Sequence, residues 1–82
     1  MYLVTYTTRD DKTHYDLDTA YEFDSLSKAK VFAMYLAKWH IDDLNIERLI
    51  ICDDTEAIVY HVDAKALKKS YDIFHEGLND DD

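Results

Sequence analysis

The sequence has no proline and a single glycine among its 82 residues. A loop that cradles a phosphate needs several glycines so that the backbone can approach the ligand, and one glycine excludes such a loop. Turns must therefore be built from Asp, Asn and Thr, whose side chains form local hydrogen bonds with the backbone.

Cysteine and long apolar runs are also scarce. Cys52 is the only cysteine, so no internal disulfide forms, which fits a reducing compartment. No apolar run approaches the ~18 residues of a membrane span, and Met1–Tyr6 lacks the basic start and long apolar core of a signal peptide. We expect a cytoplasmic protein that does not contact a membrane.

Basic residues are outnumbered two to one: nine Lys and Arg against eighteen Asp and Glu give a net charge of −9. Such a charge repels nucleic acid and anionic membranes, so direct binding to either is not expected. Hydrophobic residues make up 48% and aromatic residues 13% of the chain, which is too apolar for a disordered acidic chain. The short length predicts one domain over residues 1–78, followed by an acidic tail at 79–82.

Alternating apolar and polar residues predict the first two strands, and segments rich in β-branched residues predict the next two. The four strands are expected to join as two hairpins. The predicted strands are Tyr2–Thr8, Tyr15–Phe23, Glu47–Cys52 and Ala57–Val62. Polar segments of hairpin length, Arg9–Lys12 and Asp53–Glu56, connect the strands of each pair.

Helical spacing predicts a first helix over Leu26–His40 with Ser25 as its N-cap, and a second helix capped by Asp63. Gly77 should end the second helix, with Leu78 folding back on Phe74. The fold class is therefore α+β: a two-layer domain of β-β-α-β-β-α order with a four-stranded antiparallel sheet and the first helix packed on one face. The predicted core includes Leu17, Tyr21, Phe32, Leu36, Ile58 and Tyr60.

The acidic residues concentrate in the predicted strands and turns. Asp16, Asp18 and Glu22 share one side of the second predicted strand, where Asp16 and Asp18 would lie roughly 7 Å apart. A row of carboxylates at such spacing can imitate the phosphates of a nucleic-acid strand and occupy a basic groove. The alternative is a solvated face that provides solubility and prevents edge aggregation. The predicted partner-binding residues are Asp10, Asp11, Asp16, Asp18, Glu22, Asp53, Asp54 and Glu56.

The first predicted helix is apolar on more than one side. Met34, Tyr35 and Trp39 project away from the stripe that faces the sheet, and a ~100° stripe is enough for one buried face. These residues should contact the second helix, a second subunit or a target protein. A homodimer assembled through this helix, with acidity serving solubility, is thus the alternative function.

Catalysis, a cofactor and a metal site are not expected. Cys52 lies in an apolar segment, which favours a core position over a nucleophile. The four histidines fall on different elements and never at a spacing of four residues.

The segment Tyr21–Ala33 joins an aromatic strand end, a Ser cap and an Ala-x-x-Phe-Ala helix. With the acidic hairpins, the chain resembles the small phage and mobile-element inhibitors of host defence, the anti-CRISPR proteins and anti-restriction DNA mimics. The resemblance is one of architecture and charge. It implies a non-catalytic inhibitor in the host cytoplasm that blocks the basic surface of a nucleic-acid-binding protein.

Overall fold

The computed structural model describes residues 1–71. The described chain is an α+β fold in which two strands, a helix, two strands and a second helix follow one another. They are β1 (Tyr2–Thr8), β2 (Tyr21–Phe23), α1 (Leu26–Trp39), β3 (Ile46–Asp53) and β4 (Ile58–Asp63), then α2, which covers residues 64–71 of the described part. The expectations for Phe74, Gly77, Leu78, the domain end at 78 and the tail at 79–82 lie outside the described residues.

The four strands form one antiparallel sheet, as predicted. Their order across the sheet is β2-β1-β3-β4. β1 and β3 are its two central strands, and they pair from Tyr2 opposite Asp53 to Thr8 opposite Ile46. β2 pairs with β1 only from Tyr2 to Val4.

The second strand is much shorter than predicted, because residues 14–20 belong to the loop between β1 and β2. In this loop the Asp18 amide donates to Asp16 Oδ1 at 2.9 Å, and Thr5 Oγ1 donates to the Asp16 carbonyl at 3.1 Å. Such local side-chain bonds compete with strand pairing for the backbone. The prediction that Asp16 and Asp18 lie on a strand is therefore wrong.

The predicted cap residues hold both helices. Ser25 has extended backbone angles and its side chain accepts a hydrogen bond from the Lys28 amide. Asp63 Oδ1 accepts hydrogen bonds from the amides of Lys65 and Ala66 at the start of α2. α1 ends at Trp39, one residue before the predicted end, and His40 is its C-cap.

The core lies between α1 and the sheet face that carries Val4, Leu49 and Ile51. Small residues on α1 bring its backbone close to the sheet, since Ala29, Ala33 and Ala37 are fully buried. Buried residues of the core cluster, with α2 contributing two, are Val4, Ala29, Ala33, Leu36, Ala37, Ile41, Ile46, Leu49, Ile51, Ala64 and Leu67.

The predicted core positions have mixed outcomes. Leu36 is buried, and Phe32, Tyr60 and Leu17 are half-buried. The core prediction is wrong for Tyr21 and Ile58, because 50% and 47% of their surfaces are exposed. Tyr21 lies on a three-residue edge strand, which leaves one side of its ring open.

Ile58 is exposed because of a register shift. A β-bulge between Ile51 and Cys52 makes Tyr60 pair with Ile51 but Ile58 pair with Cys52. Neighbouring residues of a strand point to opposite faces, so this bulge turns Ile58 away from the face that Tyr60 shares with the core.

Candidate functional site

The eight predicted partner-binding acids border the sheet. Of the three predicted to share one strand, only Glu22 lies on β2, since Asp16 and Asp18 are in the loop before it. Asp10 and Asp11 follow the end of β1, and Asp16 is bonded to Thr5 half-way along it. Glu22 lies opposite Leu3 on β2. The remaining members of this acidic border are Asp18 in the loop and Asp53, Asp54 and Glu56 at the turn between β3 and β4.

The two ends of the acidic border are far apart. Asp53 pairs with Tyr2 at one end of β1, whereas Asp10 follows Thr8 at the other end. Six residues of strand at a rise of ~3.3 Å separate these ends by about 20 Å. A partner that contacts the whole border must therefore extend along one edge and one end of the sheet.

Local hydrogen bonds fix several of these carboxylates. Asp11 Oδ1 accepts from the amides of Thr13 and His14, and Asp53 Oδ1 accepts from the Thr55 hydroxyl at 2.6 Å and from two amides. The Thr55 hydroxyl lowers the pKa of the Asp53 carboxyl below its ordinary value. Asx turns thus replace glycine and proline, as the composition predicts.

No member of the acidic border has an ion-pair partner within residues 1–71. The ion pairs of the described chain use four other acids: Asp24, Asp42, Asp43 and Glu47. In the same part of the chain, the carboxylates of Asp18, Glu22, Asp54 and Glu56 also accept no hydrogen bond. The border therefore keeps its negative charge without a cation from the described chain.

An exposed apolar ridge runs along α1. Val31, Tyr35 and Trp39 recur every four residues and are 69%, 47% and 64% exposed. Tyr35 and Trp39 were predicted in this role. Met34, predicted with them, is half-buried and packs against the core. We call Val31, Tyr35 and Trp39 the apolar ridge.

The sequence analysis missed a side-chain hydrogen-bond network at the end of α1, formed by Tyr35, His40 and Asp43. His40 Nδ1 lies 3.0 Å from Asp43 Oδ2, and His40 Nε2 lies 3.2 Å from the Tyr35 hydroxyl. The bond to His40 lowers the pKa of the Asp43 carboxyl. No sequence motif indicates this network, because the side chains of Tyr35 and His40 come together only where the helix ends.

A cluster of aromatic rings continues from this network toward the edge strand β2. The Tyr35 ring stacks on Phe32 with centroids 5.8 Å apart, and Phe32 packs against Tyr21 and Phe23. A depression of about 370 Å³ lies here, lined by Tyr21, Phe32, Tyr35, Leu36, His40, Asp43 and Leu44.

Cys52 is fully buried on β3. Burial, with Asp53 and Glu56 nearby, raises the pKa of its thiol. The thiol therefore stays protonated at neutral pH, whereas a nucleophile or a metal ligand must be a thiolate. Within residues 1–71, no group of three or more His, Cys, Asp or Glu side chains is arranged to hold a metal ion.

Comparisons with protein-family models, with curated proteins and with solved structures give no significant match. The resemblance to phage inhibitors of host defence stays a prediction. Among the described residues, no helix has the length and apolar character needed to cross a bilayer.

Proposed function

We propose that the protein is a non-catalytic acidic binding protein that inhibits a nucleic-acid-binding protein by occupying its basic groove, in the manner of anti-CRISPR and anti-restriction inhibitors. The observation that carries the proposal is the acidic border, whose eight carboxylates have no ion-pair partner within residues 1–71. Complementary potentials steer association and set specificity, so such a border favours a strongly basic partner. We place the complex in the host cytoplasm, where a single free cysteine is compatible with the redox conditions.

The geometry also sets how the border would bind. Asx turns hold Asp11, Asp16 and Asp53 in place, so these carboxylates lose little conformational entropy on binding. Asp18, Glu22, Asp54 and Glu56 accept no hydrogen bond from residues 1–71, so they can accept hydrogen bonds from a partner's basic side chains. Binding of this kind weakens as salt rises, because ions screen exposed charges beyond ~8–10 Å.

The test is a pull-down from a bacterial lysate at low and high salt, followed by competition. Each captured protein is purified, and its binding to a DNA or RNA duplex is measured with and without this protein. We expect capture at low salt, release at high salt and displacement of the nucleic acid. A captured protein that binds nucleic acid equally well in both cases would overturn the proposed inhibition.

Charge reversal with a matched control localises the contact. Asp18→Lys with Glu22→Lys should leave the fold intact, since neither carboxylate accepts a hydrogen bond within residues 1–71, and should weaken partner binding tenfold or more. Asp42→Lys with Asp43→Lys changes the net charge equally at positions outside the border. Because this control also breaks the contacts of Asp42 with Arg9 and of Asp43 with His40, circular dichroism first checks that it is folded. If both variants bind alike, net charge rather than the border determines affinity.

A homodimer assembled through α1 is the second candidate function, and the exposure of the apolar ridge favours it. Val31, Tyr35 and Trp39 present three apolar side chains on consecutive turns, and aromatic residues are enriched in interfaces. Light scattering during size-exclusion chromatography should then give twice the chain mass, and Trp39→Lys should return it to the monomer mass. A parent that elutes as a monomer at high concentration would exclude this candidate.

A further inference from the structure

A cleft lies beside β1 where β2 stops. β2 pairs with β1 only as far as Val4, and no strand of residues 1–71 flanks the rest of that edge. The loop of residues 9–20 returns along the edge, held by the bond from Thr5 Oγ1 to the Asp16 carbonyl. Loop and strand edge border a half-open cleft of about 430 Å³, which lies within the ~300–1,000 Å³ typical of ligand pockets.

The lining of this cleft combines carboxylates with aromatic rings: Asp11, Asp16, Tyr15 and Tyr21 all contribute to it. Oδ1 of Asp11 and Oδ1 of Asp16 accept backbone amides of their own turns. Oδ2 of either residue accepts no hydrogen bond from residues 1–71. Each carboxylate therefore has one oxygen available to a ligand.

Arg9 and Lys12, the arginine and lysine of the same loop, pair with acids outside the cleft, whereas the imidazole of His14 lines it. Arg9 lies 3.2 Å from Asp42, and Lys12 lies 3.8 Å from Glu47. None of these four residues lines the cleft. Within residues 1–71, neither Asp11 nor Asp16 therefore has an ion-pair partner.

We propose that this cleft binds the guanidinium group of an arginine side chain on the protein partner. The inference rests on the proposed function, which supplies a basic partner. A guanidinium presents five N–H donors in a planar fork and stacks on aromatic faces, so it can donate to Asp11 and Asp16 while packing against Tyr15 or Tyr21. An ammonium group offers the charge but not the planar stack.

The probe is N-acetyl-arginine amide, titrated into the ¹⁵N-labelled full chain and followed by amide chemical shifts. We expect saturable shifts at Asp11, Tyr15, Asp16 and Tyr21. N-acetyl-citrulline amide, a neutral analogue of almost the same shape, should cause none at the same concentrations. Equal shifts with the two probes, or shifts spread evenly over the acidic border, would contradict arginine binding in the cleft.

Variants with equal net charge separate the cleft from the border. Asp11→Asn with Asp16→Asn keeps side-chain oxygens that can accept the turn amides, and should weaken arginine binding at least fivefold. Asp54→Asn with Glu56→Gln removes the same charge at the far end of the sheet and should change it less than twofold. If both pairs weaken the probe equally, the cleft is not the site. The proposed function then still stands or falls on the lysate competition, which does not depend on the cleft.

Discussion

Phe32 on α1 and Tyr21 on β2 pack ring against ring, with centroids 4.6 Å apart and planes tilted by 52°. Phe23 packs against the same Phe32 ring at 5.1 Å. This contact attaches the short edge strand to the helix, since β2 has only three residues with which to pair. The aromatic ends of the strand thus compensate for its few backbone hydrogen bonds.

Phe32→Ala should lower the free energy of unfolding by about 3 kcal/mol, at the lower end of the range for core phenylalanines because the ring is only half-buried. Urea unfolding followed by circular dichroism measures the loss. Val31→Ala on the same helix is the control, since Val31 is 69% exposed and the change should stay within about 0.5 kcal/mol. Similar losses in the two variants would show that the Phe32 ring does not anchor β2.

The elements that could be predicted from the sequence are those in which local signals agree with packing. Ser25 caps α1 because its hydroxyl meets a free amide, and the apolar spacing from Ala29 to Leu36 faces the sheet. The alternation of Tyr2–Thr8 likewise corresponds to the strand that is observed.

The failures have physical causes that strict alternation does not reveal. A bulge at β3 and β4 turns Ile58 outward. A second bulge at the end of β1 pairs Thr8 with Ile46, a core residue 1% exposed that lies before the predicted start of its strand at Glu47. Each bulge inverts the face expected from counting by two. The predicted row of acids is wrong for a different reason, because the Asp16 side chain accepts a hydrogen bond from the Asp18 amide and forms a turn in place of a strand.

The apolar ridge and the cleft beside β1 differ in how far the sequence predicts them. Val31, Tyr35 and Trp39 have a spacing that indicates one side of a helix, so the apolar ridge was partly predictable. The cleft was not predictable, because Asp11, Asp16 and Tyr21 line one space only when β2 is short and the loop returns along β1.

Ser25→Ala should lower the free energy of unfolding by about 1 kcal/mol, because the Lys28 amide loses its acceptor at the start of α1. Ser27→Ala, two residues on and exposed, tests the same chemical change without the cap. Denaturant midpoints of the two variants give the comparison. If Ser27→Ala costs as much as Ser25→Ala, helix propensity rather than capping explains the effect.

Glu56→Gly should stabilise the protein by up to about 1 kcal/mol. Glu56 has a left-handed backbone with φ of 68°, a conformation that residues with a Cβ disfavour and glycine adopts freely. Glu56→Gln removes the charge and keeps the Cβ, so it separates the backbone effect from the electrostatic one. The thermal midpoint should rise for the glycine variant above that of the glutamine variant, and equal midpoints would refute the strain.

Thr55→Val should raise the pKa of the Asp53 carboxyl toward its ordinary value of 3.8, because the Thr55 hydroxyl is the main group that lowers it. The Thr55 amide still donates to Asp53 in this variant, so the turn is retained. Because the folded state favours the carboxylate, its contribution to stability is complete above the unfolded pKa of ~3.9 and is lost as the pH falls through the lower folded value. Thr55→Val should therefore reduce the acid-dependent part of stability and leave its slope near neutral pH unchanged. Carboxyl chemical shifts measured against pH report the pKa directly.

Lys28→Met is the matched control, since Lys28 lowers the pKa of Asp24 by a hydrogen bond and by its charge. Its removal should raise the pKa of Asp24 while Asp53 titrates as in the parent. An Asp53 curve that is identical in Thr55→Val and the parent would show that the backbone amides alone hold this carboxylate in its charged form.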